Sequence, residues 1–223
     1  MLELAHNFIV VLSVTTAIAG MYLYPYANKK EKVFIYYIIA IGFFELLAMI
    51  LVALMHNGNN LPGLHVYTLF QFLLLTLFFN ACFKEFSNWF KYKWILAIGT
   101  IGIIANSIFL QSIFTYNSYS KSLVELYVIV MSLTLFRLFL SDKTHEQINM
   151  KPSVSFVSAV FLQSSVSIIF YIYSNDIMEM KESLRDLIWY LRIVINYISL
   201  FMIMFGVWQI FDRGKKNIFK TKV

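Results

Sequence analysis

Apolar residues along this chain gather into seven long runs, near residues 6–26, 33–55, 65–83, 94–114, 121–141, 153–174 and 187–210. A helix rises roughly 1.5 Å per residue and a bilayer's hydrocarbon core is about 30 Å thick, so every run is long enough to cross a membrane as a helix. The connections are short, which predicts that sequence neighbours pack together. Pro25, Pro62 and Pro152 fall at run ends, where proline starts or stops a helix rather than kinking one. The predicted fold is therefore all-α: residues 1–223 as a single bundle of seven transmembrane helices, ending in a basic tail over 211–223.

Composition agrees with that pattern. The chain is 13% charged with a mean hydropathy of +0.70, against about 25% charged residues in a soluble domain, so a polytopic membrane protein is expected. The net charge of +6 sits in the connections rather than on one face, so no nucleic-acid partner is expected. The lone cysteine, Cys82, excludes an intrachain disulfide and reads as an apolar filler. A cleaved signal peptide is not expected, because no basic segment precedes the first run. Abundant Ile, Phe, Tyr, Asn and Lys suit an AT-rich bacterial genome, hence a cytoplasmic (inner) membrane.

Charge also predicts orientation. Fourteen Lys and Arg residues lie at one set of run ends: Lys29, Lys30, Lys32, Lys84, Lys91, Lys93, Arg137, Lys143, Lys151 and five from Arg213 to Lys222. The other side carries three, Lys121, Lys181 and Arg185. Basic residues concentrate in the cytoplasm, which puts the N-terminus outside and the C-terminus inside. The connection 56–64 is uncharged and turn-rich; the last outer one, with Asp176, Glu179, Glu182 and Asp186, is acidic. Trp89, Phe90, Tyr92 and Trp94 flank the inner Lys84–Lys93 segment as an interfacial belt, and the tail is expected to rest on anionic headgroups.

The seventh run holds the most informative residue. Arg192 lies about six residues, roughly 9 Å, below its outer end, and an arginine near a span centre costs about 2.5–3.5 kcal/mol to insert. Arg185, Trp189, Arg192, Asn196 and Ser199 are spaced 4, 3, 4 and 3 apart, on one helix face. Two carboxylates also lie inside runs, Glu45 and Glu125. At least one is expected to pair with Arg192, because a charge in lipid needs a partner.

Polar residues in other runs fall on stripes as well: His6, Ser13, Thr16 and Gly20; His65, Thr68, Gln71 and Thr76; Gly99, Gly102 and Asn106; Gln163, Ser164 and Ser167. Such stripes are the ordinary glue of membrane bundles. Their bias toward the outer half predicts a pocket open to the outside, bounded by His65, Gln71, Glu125, Trp189, Arg192 and Asn196. His6, His56 and His65 map outside and His145 inside, but without a paired ligand motif, so no metal site is predicted.

Several chemistries lack their residues. Walker and Rossmann glycines, a nucleophile elbow and H-E-x-x-H are absent, so neither an enzyme nor a cofactor is expected. A retinal Schiff base needs a lysine buried in a span; none of the 14 lysines is expected to be buried, which sets that reading aside. Three functions remain. The first is a receptor-like or sensory module binding a small polar or anionic ligand and signalling through a separate membrane or cytoplasmic protein. The others are a small-solute transporter and a non-catalytic accessory subunit. The transporter is disfavoured because runs one to three do not repeat in runs five to seven.

Ile188-Trp189, Asn196 and Gly206-Val207-Trp208 resemble a pattern in the last span of small seven-span membrane proteins of Bacteroidetes-type bacteria. The resemblance covers about one span in seven. It implies the seven-span layout and carries no activity with it.

Overall fold

The computed structural model describes residues 2–54, 61–84, 91–141, 151–173, 177 and 180–220, except the side chains of 2–4, 6, 52–54 and 216–220. Regular structure among them is helical throughout: α1 (Leu2–Leu23), α2 (Lys29–Leu54), α3 (Leu61–Phe83), α4 (Tyr92–Ala105), α5 (Ser118–Ser141), α6 (Pro152–Ile172) and α7 (Glu182–Lys220). A 3-10 turn, Tyr24–Tyr26, leads from α1 towards α2, and α4 runs into a π-helical turn, Asn106–Leu110. Among the described residues, seven helices are long and apolar enough to cross a membrane, the make-up of an integral membrane protein.

Boundaries follow local chemistry. α3 starts at Leu61, four residues before the run that predicts it, because Pro62 is tolerated in a first turn where no intrahelical donor is needed. The fourth span stops at Leu110, not 114. Gln111 is extended there, and its amide donates back to the Asn106 carbonyl (2.8 Å). The predicted features at His56, Trp89, Phe90, Lys143, His145, Asp176 and Glu179, and the His6 side chain, lie outside the described residues.

Six helices close a ring: α1 packs on α2, α2 on α3, α3 on α5, α5 on α6, α6 on α7, and α7 back on α1. Helix α4 stays outside the ring and leans on α3. Its seat is Gly99, where a Cβ would stand 2.2 Å from the Phe72 ring. Trp94, Ile98, Ile101 and Ile104 of α4 face outward.

One half of the ring is filled. Phe34 of α2 stacks on Phe156 of α6 at 4.1 Å and tilts against Phe78 of α3 at 4.8 Å, and all three are fully buried. Phe156 fits because α7 offers Gly206, where a Cβ would lie 2.4 Å from the ring. At the chain turn below, Asn28 and Glu31 form a reciprocal cap on α2: the Glu31 amide donates to Asn28 Oδ1 (3.1 Å) and the Asn28 amide to Glu31 Oε2 (2.9 Å). Arg213 of α7 pairs with the same carboxylate, tying the last helix to the first turn of the second.

Candidate functional site

The other half of the ring is hollow. A cavity of about 610 Å³ lies among α2, α3, α5, α6 and α7, reaching from Leu61 and Gly63 in the first turn of α3 to Ile41 in the middle of α2. Small-molecule pockets run from about 300 to 1,000 Å³. Phe44, Leu47, Leu51, Leu64 and Ile193 make apolar walls, and Glu45, Tyr67, Tyr116, Lys121, Glu125, Tyr171, Trp189, Arg192 and Asn196 bring the chemistry.

Its floor is a closed polar network. Lys121 and Glu125 stand one turn apart on α5, each about 2% exposed, with Nζ 2.8 Å from Oε1. Lys121 also donates to the Gln71 side-chain oxygen from α3. Gln71 Nε2 in turn donates to Glu125 Oε1 at 3.3 Å, and the Ser164 hydroxyl of α6 donates to Oε2. Three helices thus satisfy one buried ion pair. The Lys121 ammonium is also 4.8 Å and 5.4 Å from the ring centres of Tyr67 and Tyr171, close enough for cation–π attraction.

Arg192 lies against the same Tyr171 ring as Lys121. Its guanidinium donates to the Tyr171 hydroxyl at 3.0 Å and reaches the Tyr116 hydroxyl at 3.5 Å. Its central carbon is 5.1, 5.4 and 5.6 Å from the ring centres of Trp189, Tyr171 and Phe170. Tyr116 comes from the α4–α5 connection, which is pinned from both ends. Asn117 donates to the Thr68 hydroxyl (3.2 Å) and Asn106 to Asn117 (3.4 Å), while His65 bridges the Ser107 hydroxyl (2.8 Å) and the Thr115 carbonyl (3.2 Å).

Of the residues the sequence singles out, Glu45, Glu125, Trp189, Arg192 and Asn196 share the cavity wall. Gln71 sits behind the wall, bonded to both members of the floor pair. His65 lines no part of it; it holds the end of α4 to α3 instead. The two candidate partners of Arg192 fare differently: Glu125 belongs to Lys121, its neighbour on one helix, whereas Glu45 shares the cavity wall with Arg192 and its charge acts on the guanidinium, whose hydrogen bonds go to the Tyr171 and Tyr116 phenols. The premise that no lysine is buried is corrected as well, since Lys121 is 2% exposed, and the argument against a Schiff base that rested on it is lost.

The sequence reading missed Lys121, Tyr67, Tyr116 and Tyr171. Lys121 had a visible signal, its position four residues before Glu125 on one helical face. Among the described residues no cluster of three or more His, Cys, Asp or Glu could hold a metal ion.

Fold and site together define a class: a polytopic helical membrane protein whose six-helix ring is packed in one half and hollow, with charged walls, in the other. No protein-family model, no curated protein and no solved structure matches the chain.

Proposed function

We propose that this protein is a receptor-like module of a bacterial cytoplasmic membrane, its cavity facing outward, that binds a small organic anion with an apolar body. The observation that carries this reading is the setting of Arg192. Its guanidinium faces a cavity of ligand size, held by phenol hydroxyls and aromatic rings rather than by Glu125. A planar fork of donors so placed suits a carboxylate or phosphate, and the Phe44–Leu51 wall suits the rest of the molecule. Lys121 is already neutralised by Glu125, so it adds little to anion affinity.

Two further features favour a receptor over a transporter. The Phe34–Phe156 stack closes the path beyond the cavity. Helix α7 runs unbroken for 39 residues, and the stretch from the Arg192 wall to Arg213 covers about 32 Å of it. A ligand on Arg192 therefore acts on the same rigid element that a cytoplasmic or membrane partner would meet at the basic end.

The test is thermal unfolding of the full chain in detergent against a panel of organic carboxylates and phosphates, on the wild type and Arg192→Ala. We expect an anion that raises the wild-type melting temperature and leaves a folded Arg192→Ala unchanged. Equal stabilisation of both, or of neither across the panel, removes the receptor reading and leaves an accessory subunit.

A further inference from the structure

The charged cavity carries a second cation and anion beyond the Lys121–Glu125 pair. Arg192 stands on α7 and Glu45 on α2, both on the cavity wall and neither fully buried. Helix α1 packs on each of these two helices, so the space their side chains share is the cavity. Glu45 is nine residues from the Leu54 end of α2 and Arg192 ten from the Glu182 end of α7, similar depths of about 14 and 15 Å. The Glu45 charge acts on the Arg192 guanidinium and on the Tyr171 and Tyr67 phenols.

The charges on this wall limit what can enter. Among the described residues four line the cavity, Glu45, Lys121, Glu125 and Arg192, and they sum to zero. Lys121 and Glu125 compensate each other within α5. A ligand with a carboxylate alone, seated on Arg192, sets two negative groups against one guanidinium. Away from bulk water an uncompensated charge is strongly disfavoured. A molecule that brings an ammonium with its carboxylate keeps the sum at zero and finds an opposite charge on the wall for each end. Its ammonium also finds an aromatic face near Glu45, the Tyr67 ring.

We propose that the ligand of this cavity is an apolar amino acid in its zwitterionic form, with its carboxylate on Arg192 and its ammonium on Glu45. This rests on Arg192 being an anion site and adds that the anion is one end of a zwitterion. The side chain lies against Phe44, Leu47, Leu51 and Ile193. Glu45 then sets specificity: it repels an acid that lacks the amino group.

Isothermal titration of the full chain in detergent tests this with leucine, methionine, phenylalanine and tryptophan, each beside the acid that lacks its amino group (for leucine, 4-methylpentanoate). We expect at least one amino acid to bind the wild type about tenfold more tightly than its partner acid, roughly 1.4 kcal/mol, and Arg192→Ala to bind neither. Glu45→Gln, its unliganded melting temperature checked first, is expected to erase or invert the preference. Acids that bind the wild type as tightly as the amino acids overturn the zwitterion and leave the anion site standing; binding of neither removes both. A preference kept by Glu45→Gln overturns the role of Glu45. If that variant fails to fold, the wild-type comparison decides alone.

Discussion

The two halves of the ring solve opposite problems with the same helices. One half meets α2, α3 and α6 with Phe34, Phe78 and Phe156, and stability there comes from ring against ring and from the missing side chain at Gly206. The other half joins α3, α5, α6 and α7 through Gln71, Lys121, Glu125, Ser164 and Arg192, and leaves a space in the middle. A membrane protein gains nothing by moving apolar side chains from lipid into its core, so close packing and satisfied polar groups must hold it together. The comparison shows both devices in one molecule, ring packing dominating one half and the polar network the other.

The largest effect should come from breaking the floor pair. Glu125→Leu leaves the Lys121 ammonium buried without its carboxylate, and we expect a loss of about 3–5 kcal/mol in unfolding free energy. Lys121→Met with Glu125→Leu should recover most of it, since an apolar pair of similar volume replaces the charges. Unfolding in detergent measures both; a single variant as stable as wild type would mean that the pair does not hold the hollow half.

A smaller effect separates the halves directly. Gly206→Ala drives a methyl into the Phe156 ring and should cost about 1–3 kcal/mol. Gly63→Ala, on the cavity wall with nothing within 4 Å, should cost nothing measurable. Equal costs would erase the distinction between a packed and a hollow half. The smallest effect belongs to Arg213→Gln at the Glu31 cap. Arg213 is 38% exposed and Asn28 still caps the carboxylate, so we expect a loss of about 1 kcal/mol or less, shrinking as salt is added.

Helix number and approximate span positions were legible because length and hydropathy are enough to find a span. The ring was not. Lipid-facing and protein-facing residues are both apolar, so nothing in 94–110 announces that α4 is left outside while α5 takes its place against α3. The polar stripes did mark buried faces, since Thr68, Gln71, Ser164 and Ser167 are all inside. Hydropathy gives depth along a helix but not the direction a residue faces across the bundle. That is why Glu125, like Glu45, was a candidate partner for Arg192 although α6 stands between the helices of Arg192 and Glu125. Lys121 escaped notice because it lies at the edge of its run, where charges usually reach water. The aromatic residues around both cations carry no pattern of their own in a chain with 14 tyrosines and 22 phenylalanines.

That Lys121 and Glu125 share one helix has a consequence for how the protein is made. A helix leaving the translocation machinery with a lone charge near its middle incurs about 2.5–3.5 kcal/mol on insertion. The outer half of α5 carries its cation and anion one turn apart, 2.8 Å from each other, so that half can enter the bilayer nearly neutral before α6 or α7 has been synthesised, while Arg137 stays near the basic end. The polar centre of the finished cavity is thus delivered with its charges compensated, and later helices need only close around it.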